Sequence, residues 1–164
     1  MSKTDYVYAP HQDVKKLTEE VAAYLDGTGL LAKTQALRVS TVDAAGWPHA
    51  SLLSVGEVLA LPSGKIRFAI FPAAGAAANL ARDGRLALTL SLGGGMTELR
   101  MRARPLANPD ADIPLAFFEA ELEAARTHVA PYASVTSGVT FSLHEPEAIV
   151  ARWERQIAAL RAAN

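Results

Sequence analysis

The run RLALTLSLGGGMTELRMRARPL, residues 85–106, admits few structures. Leu86, Leu88, Leu90 and Leu92 alternate with Arg85, Ala87, Thr89 and Ser91, and Leu99, Met101 and Ala103 alternate with Arg100, Arg102 and Arg104. Successive side chains of an extended strand point to opposite faces, so a period of two gathers the leucines on one face and the polar residues on the other. A helix would scatter the same leucines around its circumference. The glycines at 93–95 are too few for a crossover, so the two runs must pair antiparallel through a hairpin loop.

The rest of the chain is read in the same way. Val14, Leu17, Val21 and Leu25 recur at helical spacing, which predicts an amphipathic helix over about 13–26, stopped near Gly27 and Gly29. Alternation at 37–41, the turn DAAGWP, a second run at about 49–59 and a third at 65–71 predict strands joined by short connections. Asp112 as a cap, Pro114 in a first turn and the stripe Leu115, Phe118, Leu122 and Ala125 predict another helix. A last strand over 136–143 leads into a closing helix over about 146–161, with Pro146 at its start and Ile149, Trp153 and Leu160 along one side. Six strands with peripheral helices predict a mainly β chain folded as an antiparallel split β-barrel, one domain spanning 1–164.

Several classes of chemistry find no support in the residues. The absence of cysteine removes disulfides, thiolate zinc sites, iron–sulfur clusters and thiol nucleophiles. His11, His49, His128 and His144 lie far apart, without metal-ligand spacing, and no metal site is expected. LGGGMT joins two strands rather than a strand to a helix, so it reads as a hairpin loop and not a phosphate cradle. Ser51 and Ser54 sit in no nucleophile elbow and read as plain strand residues. Arg100, Arg102 and Arg104 share a strand face, but a net charge of −1 argues against nucleic acid as a partner. Without a signal-like segment or an apolar run of membrane length, the expectation is a cytoplasmic protein with no membrane partner.

One segment asks a question of its own. FPAAGAAANLARDG carries neither charge nor hydroxyl in its first eight residues, 71–78, although the helix that follows directs free N–H groups at it. Taken in order, STVDAAGWPHAS, IRFAIF, NLARDGRLALTL, LRMRARPL and the closing PEAIVARW resemble the pyridoxamine 5'-phosphate oxidase-like family of FMN-binding split β-barrels, over roughly residues 14–155. The resemblance implies a homodimer with FMN in a cleft between two chains, acting as an oxidoreductase on a small-molecule substrate. It places ring and ribityl contacts on His49, Ser51, Leu52, Leu53, Ile70 and Phe71, and the phosphate at Ala74, Gly75 and Ala76. Glu98 matches a position where oxidases of the family often carry glutamine, and a carboxylate cannot donate a hydrogen bond to flavin oxygens. The resemblance identifies no catalytic residue and no substrate.

The family's usual Ser-Arg-Lys in the turn is here Ala74-Gly75-Ala76. Losing two charge-assisted contacts, each worth about 1.5–3 kcal/mol, weakens phosphate binding by roughly 10²- to 10⁴-fold. Backbone N–H groups and the helix dipole still favour an anion there, and Arg67, Arg100, Arg102 or His49 are the candidates to replace the missing charge. Relatives that bind haem or deazaflavin keep those cofactors as alternatives, and a non-catalytic module with a degenerate cleft is the reading from a different class.

Overall fold

A computed structural model describes residues 13–164. The hairpin over 85–106 forms as its alternation requires: β5 (Arg85–Leu90) and β6 (Met96–Leu106) pair antiparallel, with Leu88 opposite Leu99 and Leu86 opposite Met101. Gly93 and Gly94 take positive φ in the connection. The other elements, in chain order, are α1 (Glu19–Tyr24), β1 (Leu37–Val42), β2 (Pro48–Leu53), β3 (Val58–Ala60), β4 (Ile66–Ile70), α2 (Gly75–Arg82), β7 (Ala116–His128) and α3 (Pro146–Ala162). The strands form one antiparallel sheet in the order β2-β1-β5-β6-β7-β4-β3, curved into a half-barrel with the helices around it.

Two cores result. Inward residues of the sheet, among them Leu37, Val39, Phe68, Leu88, Leu99 and Ala120, pack with Val21 and Leu25 of the N-terminal segment and Leu80 of α2. On the other side Trp153, Ile157 and Leu160 of α3 cover Val55, Leu59, Ala69 and Phe117. Ala69 and Phe117 lie opposite each other in neighbouring strands and face α3, so β4 and the start of β7 are buried on both faces.

The sheet has seven strands, not the expected six, and the differences have identifiable causes. The residues expected as a helix around 112–125 form most of β7. Phe117 and Phe118 are both buried, on opposite faces, and Glu123 is the extra residue where Arg100 pairs with Ala124 but Met101 pairs with Leu122. A bulge resets the phase of the alternation, and Leu115, Phe118, Leu122 and Ala125 then mimic a helical stripe. Pairing with β6 along its whole length outweighs the helix propensity of an alanine- and glutamate-rich sequence. Asp112 caps nothing; with Asp110 it receives Arg155 of α3.

The expected last strand, 136–143, is an extended connection that touches the sheet only beside β1. Ala36 N–H donates to Val139 O, and Phe141 N–H donates to Thr34 O. The expected strand over 49–59 is broken into β2 and β3 by a tight turn at 54–57. Glu57 N–H donates to Ser54 O there, while one Glu57 carboxylate oxygen accepts from both the N–H and the hydroxyl of Ser54. The first helix starts at 19 rather than about 13, because Thr18 caps it through Val21 N–H and Val14 is instead hydrogen-bonded to Ala125 of β7. The closing helix forms as expected, with Pro146 in its first turn.

Candidate functional site

The alanine-rich segment becomes a loop and the eight-residue helix α2, entered through Ala74 with extended backbone and no side-chain cap. Ala77 N–H turns back to Ala74 O, leaving the N–H groups at the very start of the helix for something outside the chain's own ladder. The helix is held firmly from its other end. Asn79, buried, donates to Thr41 Oγ1 of β1 at 2.9 Å, while Arg82 reaches back to Asn79 Oδ1 and Val42 O.

Thr41 lies opposite His49 in the β1–β2 pair, so the anchor that fixes α2 also sets the position of His49. The imidazole of His49 rests against Gly75: a Cβ built on that glycine would lie 3.1 Å from Nε2. With glycine there the ring comes this close to the helix start, and a side chain would require the imidazole to give way by a few tenths of an ångström. The other ring nitrogen, Nδ1, is buried and has no hydrogen-bond partner, the only such side-chain atom among the described residues. An orphaned buried polar atom is costly unless a ligand or solvent meets it.

The other residues named from the sequence divide sharply. Ser51 and Leu53 lie on the same face of β2 as His49, and Leu53 is buried in the core. Ile70 and Ala76 are buried too and present no side chain to a ligand. Phe71, 65% exposed, is a bare apolar surface shortly before the helix entry, whereas Leu52, 54% exposed, lies on the opposite face of β2 from His49. Ala74 and Gly75 form the helix entry. Glu98 stands apart, on the outer face of β6, accepting a hydrogen bond from Arg100 Nε at 2.7 Å. Three strand spacings separate it from β2, about 14 Å along the sheet.

The arginine candidates are committed elsewhere. Arg67 is bound to Glu119 and to the carbonyls of Leu160, Arg161 and Ala163; Arg100 pairs with Glu98, and Arg102 with Glu123. His49 is the candidate the geometry keeps. Ala76 is 1% exposed and Gly75 is closed by the imidazole, so a Ser-Arg-Lys turn does not fit this backbone without displacing His49. No group of three or more metal-ligating side chains is found among the described residues. None of their helices is long and apolar enough to cross a membrane.

The sheet order and the placement of α2 beside β1 and β2 define the pyridoxamine 5'-phosphate oxidase-like split barrel. A crystal structure from Lactobacillus delbrueckii, provisionally assigned as a pyridoxamine 5'-phosphate oxidase, superposes with a TM-score of 0.56 at 19% identity, over 71% of this chain and 98% of that one. The conserved hypothetical protein Rv2991 of Mycobacterium tuberculosis gives 0.52 at 14% identity over 78% and 98%, and HupZ of Group A Streptococcus gives 0.54 at 13% over 73% and 98%. At these identities the likeness is one of fold. No family model matches the sequence. Uncharacterized protein YclD of Bacillus subtilis (strain 168) is 32% identical over 150 residues, spanning 90% of this chain and 97% of that protein, and the chain belongs to the family of YclD within this fold.

Proposed function

We propose that the protein is a homodimeric flavin-binding oxidoreductase that takes FMN in a cleft at β2 and the start of α2. The observation that carries this reading is His49, whose ring lies against Gly75 at an uncapped helix N-terminus and whose Nδ1 is buried without a partner. An anion at that spot would receive the helix dipole, free backbone N–H groups and an imidazole N–H together. A bound flavin would supply the redox chemistry. The chain's part is to hold the phosphate at one end of β2, to present the apolar surface of Phe71 to the ring system, and to exclude water.

Titration with FMN and riboflavin, followed by flavin fluorescence, tests this. One charge-assisted contact of about 1.5–3 kcal/mol corresponds to a preference for FMN of roughly 10- to 150-fold. His49→Ala is expected to remove most of that preference and leave riboflavin nearly unaffected. Equal affinities for both ligands in the wild type, or a preference that survives the substitution, would exclude His49 as the phosphate contact. Absence of flavin binding altogether would favour a degenerate cleft, and an intense Soret absorbance on reconstitution would favour haem.

The twofold partner is part of the proposal, because Glu98 can join the β2 cleft only across an interface between chains. The outer face of β2, β1, β5 and β6 suits self-association. It carries the small residues Ala50, Ser40 and Ala87 in one cross-strand row that continues to Arg100 of β6, beside exposed Leu52 and Val42. Light scattering at micromolar concentration is expected to give twice the 17.4 kDa chain mass. A monomer that binds FMN tightly would refute the shared cleft.

A further inference from the structure

Beyond the far end of β2 from His49 lies a pocket of about 340 Å³ whose residues come from four separate parts of the chain. Ala36 precedes β1, Leu52 is near the end of β2 with Ser54 and Glu57 in the turn after it, Val139 and Phe141 belong to the extended connection beside β1, and Ile149, Arg152 and Trp153 to α3. Leu53 is four residue steps along β2 from His49, about 13 Å. The walls are mostly apolar, and besides Ser54 and Thr140 two ionisable groups line this space, Glu57 and Arg152.

Glu57 uses one oxygen, Oε2, to accept from Ser54 N–H at 2.7 Å and Ser54 Oγ at 3.0 Å; Oε1 makes no hydrogen bond. Burial pushes its carboxyl above the ordinary range, against the opposing effects of the Ser54 hydrogen bonds and the charge of Arg152. Arg152 is exposed and hydrogen-bonds to none of the described residues, yet its charge is felt at Glu57, so both groups address one volume. The chemistry complementary to this arrangement has a flat apolar body, an anionic end for a guanidinium and a hydroxyl or N–H for a carboxyl oxygen. The volume admits one or two rings.

We propose that this pocket binds a small aromatic carboxylic acid bearing a hydroxyl or N–H, with Arg152 taking the carboxylate and Glu57 the polar substituent. That such an acid is the molecule a flavin acts on rests on the flavin reading above; Leu52 and Leu53, shared between the pocket and the implied ring contacts, place the two ligands side by side. The binding itself does not require flavin.

Isothermal titration of 4-hydroxyphenylacetate and its neutral primary amide into the full chain, with and without saturating FMN, decides it. The acid is expected to bind one per chain and more tightly than the amide. Arg152→Met should weaken the acid about tenfold or more while leaving the amide unchanged. Arg152 is exposed and unbonded, so a melting curve matching the wild type will certify that the variant is folded. Glu57→Gln, whose amide oxygen can still accept from Ser54, should weaken both ligands alike. No saturable binding up to about 10 mM, or acid affinity untouched by Arg152→Met, overturns the proposal. So does displacement of the acid by FMN, because the pocket would then be the ring's own seat. FMN binding without acid binding sinks the pocket alone, and acid binding without FMN binding sinks the flavin reading alone.

Discussion

Trp153→Ala is expected to destabilise the fold by about 3–5 kcal/mol, the cost of removing a large buried aromatic ring and leaving a cavity. Trp153 is 3% exposed and meets Phe141 edge-on, with ring centroids 6.0 Å apart. It also fills the space above Gly56, where a Cβ would lie 1.9 Å from its Cγ. Gln156, one turn further along α3, donates to Gly56 O at 2.9 Å. The turn between β2 and β3 is therefore shaped against the helix, with glycine required by contact rather than by its own backbone angle. Denaturant titration monitored by circular dichroism should show the loss, and Gly56→Ala should show a comparable one because backbone and ring cannot both stay in place. Near wild-type stability in both variants would mean that α3 does not dock on this turn.

Arg67→Met is expected to cost about 3–5 kcal/mol, as expected when one member of a buried ion pair is removed. Arg67 donates to buried Glu119 at 2.9 Å and to the carbonyls of Leu160, Arg161 and Ala163, so it ties the end of α3 to the sheet. Lys65 and Arg104 also reach Glu119 but are 39% and 62% exposed, and solvent weakens what they contribute. Burial acts to raise the Glu119 carboxyl, but the hydrogen bonds from Arg67, Lys65 and Arg104 outweigh it and hold the group below its ordinary value. A carboxyl depressed by folding contributes stability that is present above its unfolded value, near pH 4.3, and is lost as pH falls through the lower folded value. Wild-type stability should therefore drop on acidification below about pH 4, and the drop should be shallower in Arg67→Met. An unchanged acid limb in the variant would remove Arg67 as the cause.

How far the sequence could be read is clearest from pairs of segments. The hairpin of β5 and β6 was legible because alternation and a three-glycine connection lie within a single run of the chain. So were the Asp43 turn, whose carboxylate accepts from Ala45 N–H and Trp47 N–H, and the proline-started helix that closes the chain. β7 was not, because its opening residues are buried on both faces and a bulge breaks its period, so the local pattern pointed to a helix. The extended connection after β7 has the alternation of a strand but is hydrogen-bonded to the rest of the backbone only at a few points, at Gly94 and at 34–36.

The candidate site divides along the same line. That the turn before α2 lacks side-chain donors is a property of consecutive residues, and the sequence alone determined it: Ala74, Gly75 and Ala76 contribute nothing but backbone. Which of the candidate groups stands beside that turn was decided by tertiary structure. Four candidates stood level in the sequence; in the fold Arg67 and Arg102 pair with Glu119 and Glu123 across the sheet, Arg100 pairs with Glu98 on its own strand, and His49 lies against Gly75, 26 positions further along the chain. Ser54 read as an ordinary strand residue until the fold brought Glu57 onto it and Arg152 beside that carboxyl. Periodicity, caps and turns act between neighbours in the chain and are written there. The partner of a buried charge is chosen by packing between distant segments, which no local pattern records.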